Sequence, residues 1–239
     1  MDFVESFRQN FIDGDRWKYL TEGLVITLEI TGAAVLLGLL LGFIVAIIRC
    51  TYLKTGRMKI ANAICRVYLT VIRGTPMMVQ LLIIFYVVFA SVNVSKILVA
   101  IIAFGINSGA YVAEIVRGGI MSIDNGQMEA GRSLGLNYRQ TMISIIMPQA
   151  LKTVLPALVN ECIVLLKETS VAGYIGVYDL TKGGDEIRAQ TYSPFLPLIA
   201  VAVIYLVMVM FLTFLVGILE RRLRSCRRTG KATAPFAAL

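Results

Sequence analysis

Histidine does not occur in this 239-residue chain, and charged residues are scarce at 16%. The missing imidazole removes the usual general base and the commonest metal ligand. A catalytic metal centre or a Ser-His-Asp triad therefore has little to be built from, and no nucleophile and base converge, so an enzyme is not expected. Soluble domains carry about 25% charged residues. A chain this far below that level, with 57% hydrophobic residues, needs lipid as its solvent. Cys50, Cys65, Cys162 and Cys226 are scattered without a Cys-x-x-Cys pair, which suggests neither a disulfide framework nor a zinc site. A Gly-x-x-x-x-Gly-Lys-Ser/Thr loop is missing too, so the chain does not hold ATP in the P-loop manner. No segment alternates like a barrel strand, and no internal repeat or soluble-domain linker is visible.

What the chain has is apolar runs near the ~20 residues that a helix needs to cross ~30 Å of hydrocarbon. They lie at residues 24–48, 60–90, 97–116 and 150–172, and within 189–219. The first carries no charge over 30–48; it is too long, and its upstream flank too acidic, for a cleaved signal peptide. The second contains Arg66 and Arg73. With every backbone group to be satisfied away from water, these runs form a helical bundle. The expected fold is all-α and integral to the membrane, with five transmembrane helices.

An odd number of spans puts the termini on opposite sides. The loops at 49–59 and 117–139 and the tail after Glu220 hold thirteen basic residues; the other side holds six, namely Arg8, Arg16, Lys18, Lys96, Lys182 and Arg188. The positive-inside rule then places the N-terminus outside and the C-terminus in the cytoplasm. The same bias accounts for the net charge of +8 without a nucleic-acid partner. The expected layout is an acidic extracytoplasmic segment at 1–22, with Trp17 and Tyr19 at the outer interface, a membrane domain at 23–222, and a basic cytoplasmic tail at 223–239 flanking the lipid. This is a multi-pass protein of the cell membrane.

The long inner loop at 118–148 is organised. Residues 127–136 (QMEAGRSLGL) read as a short helix with Ala130, Gly131 and Gly135 on or near one face, where another backbone can approach closely. Asp124 or Asn125 suits its N-cap, and Glu129 in a first turn suits the helix dipole. Periodicity alone fits an interfacial helix on lipid headgroups equally well. The wider pattern is Glu129-Ala130-Gly131, three residues, Gly135, nine residues, Ile145, one residue, Met147-Pro148. It resembles the EAA motif of ABC importer permeases, E-A-A-x3-G-x9-I-x-L-P, and departs from it at Gly131 and Met147. Residues 24–28 (LVITL), 68–80 (containing RGTPMMVQ), 107–119 (NSGAYVAEIVRGG) and 160–170 (NECIVLLKETS) resemble segments of the branch that takes up polar amino acids, the histidine, glutamine and arginine type permeases. The resemblance covers residues 20–222, with its motifs in order.

The resemblance implies a type I ABC importer (MetI-like) permease fold and a role as membrane subunit of an ATP-driven importer. It implies that the inner-loop helix docks into a groove of a separate ATPase subunit. Glu129, Ala130, Gly131 and Gly135 would form the docking element, with Arg132 and Leu134 beside them. ATP and Mg would sit on that ATPase, leaving this chain without a cofactor. A second permease subunit, identical or related, and an extracytoplasmic solute-binding protein are the other implied partners.

An ionisable residue inside a span costs ~2.5–3.5 kcal/mol on insertion scales and is a functional candidate. At ~1.5 Å per residue, Glu161 lies ~15 Å along its span from Leu151, and Arg73 ~20 Å along from Ile60. Both fall in the middle third. Gly74-Thr75-Pro76 beside Arg73 should interrupt the second helix, because Pro76 removes a donor and Gly74 tolerates unusual dihedrals. Irregular backbone survives at this depth only when buried in protein or lining a cavity, and broken helices recur as ways to present backbone groups to a solute. A zwitterionic amino acid needs one positive and one negative site. Arg73 and amides near Thr75 suit its carboxylate; Glu161 suits its ammonium or a cationic side chain, and Glu168 shares that face two turns outward. The other reading is that Arg73 and Glu161 pair with each other or with polar groups. Asn160-Glu161 resembles the pair found in relatives that take basic amino acids, which tilts the implied solute toward Lys, Arg, ornithine or His.

Other charges read as structural. Glu114 and Arg117 have pairing distance along a helix. Lys167 reaches the outer interface or pairs locally, and Glu29 snorkels from the first span. The outer loop at 174–193, with Asp179, Asp185 and Glu186, reads as a solvated connector, or else as a face for a binding protein. Rival functions are a self-sufficient secondary carrier, which often shows inverted repeats, a permease for another small solute, and a membrane anchor without transport.

Overall fold

A computed structural model describes residues 3–229, with side chains described through Ile218. Every regular element among the described residues is helical. In chain order these are α1 (Phe3–Phe7), α2 (Trp17–Thr55), α3 (Lys59–Gly74), α4 (Met77–Ile83), α5 (Lys96–Met121), α6 (Asn125–Ser133), α7 (Tyr138–Thr141), α8 (Met147–Glu168), α9 (Leu180–Thr191) and α10 (Phe195–Thr229). A π-turn at Met142–Ile146 joins α7 to α8, and a 3-10 segment at Thr169–Ile175 follows α8. Among the described residues four segments are long and apolar enough to cross a membrane: Trp17–Thr55, Lys96–Met121, Tyr138–Ile175 and Phe195–Ile218. The pair α3–α4, bent by 112° at Gly74–Pro76, makes a fifth if counted as one span. The second run is thus interrupted where its Gly and Pro said it would be, and the chain turns sharply there instead of continuing as one rod.

The frame is α2 against α5. In lipid, apolar side chains gain nothing by leaving solvent for one another, so close packing of small residues holds helices together. Along α2 the buried positions include Gly23, Thr27, Ile30, Ala34, Gly38, Gly42 and Ala46, three or four apart and hence on one face. A Cβ on Gly42 would stand 2.3 Å from Val112 Cγ1 of α5. The opposite face, with Leu36, Leu40 and Ile44, is exposed. The 39 residues of α2 amount to ~58 Å, well beyond the ~30 Å of hydrocarbon. Its uncharged part at 30–48 is ~28 Å long and matches that thickness, so the helix projects at both ends. The boundary expected at residue 22 falls inside it. At the other terminus, the backbone of α10 runs to Thr229; the arginines expected on the tail lie outside the described side chains, and 230–239 lie outside the described residues.

Each end of the bundle has its own core. At one end, Cys50, Val116 and Ile120 pack with Met142, Ile146, Ala150 and Val154, fixing α6, α7 and the start of α8 beneath α2 and α5. At the other, Phe11 and Leu20 pack with Leu180, Ile187 and Val201. Here the structure corrects the solvated connector expected at 174–193. That stretch forms α9, with Asp179 as its N-cap accepting from the amides of Thr181 and Lys182. Gly183 lies against the backbone of α2, where a Cβ would be 2.3 Å from Tyr19 O. The Thr27 hydroxyl accepts from the Leu180 amide at 3.0 Å. The N-terminal segment closes on the same module, since Thr191 Oγ1 donates to buried Asn10 Oδ1 at 2.9 Å.

Candidate functional site

The inner-loop helix forms with local chemistry much as expected. Asp124 caps α6, its side chain accepting from Gly126 N at 2.7 Å. Three details differ. The helix ends at Ser133, before Gly135. Gly135 lies beyond it at φ +81°, a left-handed turn that a side chain would strain. Glu129 lies past the first turn, so its expected dipole role does not hold. Gly131 faces its own chain: a Cβ there would meet Thr141 Cγ2 at 2.5 Å. The residue at this position is small because α7 presses on it. Glu129, Ala130, Arg132 and Leu134 are exposed, and Leu134 is 79% accessible.

The break between α3 and α4 is held by a residue whose part was not foreseen. Gln80, in the RGTPMMVQ segment, is nearly buried. Its Nε2 lies 2.7 Å from Ile72 O, 3.0 Å from Thr75 O and 2.8 Å from Thr75 Oγ1. It thereby satisfies carbonyls released when Pro76 interrupts the helix. Gln80 Oε1 in turn accepts from Asn107 Nδ2 of α5 at 3.0 Å. Gly74, Thr75 and Pro76 are exposed, while the Thr75 hydroxyl donates back to Val71 O at 2.8 Å. The signal for Gln80 was an amide side chain four residues after a helix-breaking proline.

Arg73 and Glu161 do not meet. Arg73 Nη1 lies 3.7 Å from Glu114 Oε2 on α5, and its guanidinium is 5.7 Å from the ring centre of Tyr111. Glu114 also binds Arg117, at 2.7 Å, the i, i+3 pair expected. Glu161 on α8 is half-buried and accepts from Ser108 Oγ of α5 at 3.2 Å. Glu168, seven residues along α8, is half-buried as well, and its neighbour Lys167 is exposed. Glu29 is exposed on α2. The pairing of Arg73 with Glu161 is therefore replaced by two separate polar sites, joined through α5. Beside α9, burial pushes the Asp179 carboxyl up, against the pull of its backbone donors. The hydrogen bond from Lys182, supported by Arg188, holds Asp185 below the usual carboxylate range.

This arrangement of helices has known counterparts. A chain of an amino acid ABC transporter crystallised with histidines superposes with a TM-score of 0.82 at 39% identity, over 93% of this chain and 99% of that one. The inward-facing MetNI methionine ABC transporter shares the fold, with a TM-score of 0.72 at 22% identity over 87% and 97% of the two chains. Among curated relatives, the arginine transport system permease protein ArtQ of Bacillus subtilis is 38% identical over 209 residues, covering 87% of this chain and 93% of its own. The glutamine transport system permease protein GlnP of Escherichia coli K12 is 38% identical over 208 residues, covering 86% and 93%. The fold is thus that of the type I ABC importer permeases, whose relatives sit in the membrane. The family model for the binding-protein-dependent transport system inner membrane component matches residues 30–225, and the chain belongs to that family.

Proposed function

We propose that this chain is the membrane-spanning permease subunit of an ATP-driven importer for polar amino acids. The observation that carries the reading is α6. It is a capped helix that presents Glu129, Ala130, Arg132 and Leu134 to solvent, on the basic side of a chain that lacks an ATP-binding loop. Such an element is built to be gripped by a separate ATPase, where ATP and Mg reside. Gly131 supports the element from within, and Gly135 makes the turn that ends it. Arginine and glutamine permeases among the relatives support the solute class.

The topology that fits has five spans, with α3–α4 as the broken one, the N-terminus outside and the C-terminus inside. The extracytoplasmic segment is 1–22, the permease domain 23–222 with its coupling loop at 118–148, and the cytoplasmic tail 223–239. A second permease subunit, identical or related, completes the pathway, and an external binding protein delivers the solute against the α9 end. Along the pathway, Arg73 beside the opened Gly74-Thr75-Pro76 turn receives the carboxylate. Glu161, steadied by Ser108, receives the ammonium or a cationic side chain, and Glu168 lies two turns outward on the same helix. ATP binding closes the ATPase pair, α6 moves with it, and the helices rock between outward and inward access.

The test is uptake in vesicles reconstituted with the ATPase and binding protein, using a panel of amino acids. Uptake of polar amino acids that needs internal ATP and external binding protein is the expected result. Uptake that persists without the ATPase overturns the reading and leaves a self-sufficient carrier.

A further inference from the structure

Three guanidiniums and one carboxylate converge where α2, α3 and α5 meet. Arg49, Arg66, Thr70, Arg73 and Glu114 line an open recess of about 450 Å³ there. Arg66, Thr70 and Arg73, four and three residues apart, share one edge of α3. The single carboxylate is already divided, since Glu114 Oε2 lies 2.7 Å from Arg117 and 3.7 Å from Arg73. Arg49 donates to the neutral Asn62 Oδ1 at 3.1 Å, and its Nε is buried with no acceptor. Arg66 has no acidic partner among the described residues. Positive charge on the lining therefore exceeds negative by two between Arg73 at mid-span and Arg49 at the inner end of α2, where uncompensated ions are expensive. What would balance it is an anion of planar, fork-matching shape, because guanidinium binds carboxylate through paired N–H donors.

We propose that this recess is a transient site for the carboxylate of the transported solute on the cytoplasmic half of its path, with Arg66 and Arg49 taking it over from Arg73. The proposal rests on the permease reading above and extends the carboxylate site to two arginines which that reading does not use. Arg73 and Arg66 are seven residues apart, so the hand-over covers two helical turns, ~10 Å. Glu114 sets its looseness: by occupying Arg73 and Arg117 it keeps the carboxylate from being trapped at the upper end. A recess of this sign favours solutes with neutral or acidic side chains and meets a cationic solute only by its carboxylate end. A lipid phosphate from the inner leaflet offers similar chemistry, so the test must separate the two.

The experiment is equilibrium binding of a radiolabelled amino acid, the one taken up fastest, to the permease–ATPase complex in nanodiscs of phosphatidylcholine alone and in nanodiscs with one third phosphatidylglycerol. Arg66→Gln should weaken binding roughly ten-fold in both, the loss expected for a charged hydrogen bond. Lys59→Gln, on the same helix but outside the recess, should leave it unchanged. The decarboxylated amine of the same amino acid should bind no better to the wild type than to Arg66→Gln. Equal binding by wild type and Arg66→Gln overturns the proposal, as does an amine that binds as tightly as the acid, or a transporting wild-type complex with no saturable binding. An Arg66→Gln effect confined to the phosphatidylglycerol discs also overturns it, since the occupant is then lipid. Wild-type uptake is measured in parallel: uptake without an Arg66 effect overturns the recess alone, whereas no uptake of any amino acid overturns the permease reading.

Discussion

Asn107 of α5 and Gln80 of α4 share a buried hydrogen bond of 3.0 Å, and through it the central helix holds the far side of the break at Gly74–Pro76. By side-chain hydrogen bonds Gln80 of α4 reaches the end of α3, the bend and the helix behind it. Replacing it with Leu should strand the carbonyls of Ile72 and Thr75 and the amide of Asn107. Leaving buried polar groups unsatisfied costs about 1–3 kcal/mol each. Gln80→Leu should therefore lower the melting temperature of the purified complex and slow uptake; an unchanged melting curve would mean the bend is held by something else.

Gly131 faces Thr141 so closely that Gly131→Ala is expected to destabilise the inner loop by about 1–3 kcal/mol, the usual range for overpacking. Thr141→Ala should relieve most of the clash, because the nearest atoms, Thr141 Cγ2 and Oγ1, are removed and only its Cβ, at 3.2 Å, stays close. The double variant should recover ATP-driven uptake that the single variant loses. Failure of this rescue would place the defect in contact with the partner rather than within the loop.

Glu161→Gln keeps the size of the side chain and its hydrogen bond with Ser108 while removing the charge. If Glu161 meets the positive end of the solute, uptake of cationic amino acids should fall roughly ten-fold, the worth of one charged hydrogen bond. Ser108→Ala should have a smaller effect of the same kind. Undiminished uptake of every cationic amino acid would remove Glu161 from the path.

The stabilisation that Asp185 gives the α9 module should be lost in acid. Asp185 is held below the ordinary carboxylate range by the hydrogen bond from Lys182, with Arg188 adding its charge. A depressed folded-state value adds stability that is fully present above the ordinary aspartate range and is lost as pH falls through the folded value. The side chain is 35% exposed, so solvent screening keeps the contribution under about 1 kcal/mol. Asp185→Asn should flatten the acid limb of a thermal-unfolding profile below the ordinary aspartate range and change little near neutrality. An acid limb of unaltered slope would assign the sensitivity to other carboxylates.

What could be read in the sequence was what neighbouring residues decide. The cap at Asp124, the pair Glu114–Arg117 and the interruption at Pro76 each depend on residues within a turn or two. Helix α9 stands where a solvated connector is expected, and its first turns hold Gly183 and Gly184. Their smallness answers to Tyr19 and Val201, partners brought there only by the folded bundle. The same holds for Gly131, whose neighbour Thr141 sits across a turn. The ends of α6 were placed slightly wrong because Gly135 was taken as part of a helix face when it supplies the turn that ends it. Depth along a straight helix gives no bearing around it, so it leaves open whether Arg73 and Glu161 pair with each other or with other polar groups. The 112° bend and the packing of α3 on α5 decide that Glu114 is the neighbour of Arg73.

The most direct measurement is ATP hydrolysis stimulated by solute-loaded binding protein, read together with uptake, in vesicles whose permease carries Leu134→Asp with Glu129→Ala. Both side chains are exposed, so the complex should elute and melt as the wild type does. If α6 is the element that the ATPase grips, stimulation should disappear and uptake with it, leaving only the basal hydrolysis of the ATPase. Full stimulated hydrolysis and full uptake by this variant would contradict the account at its centre.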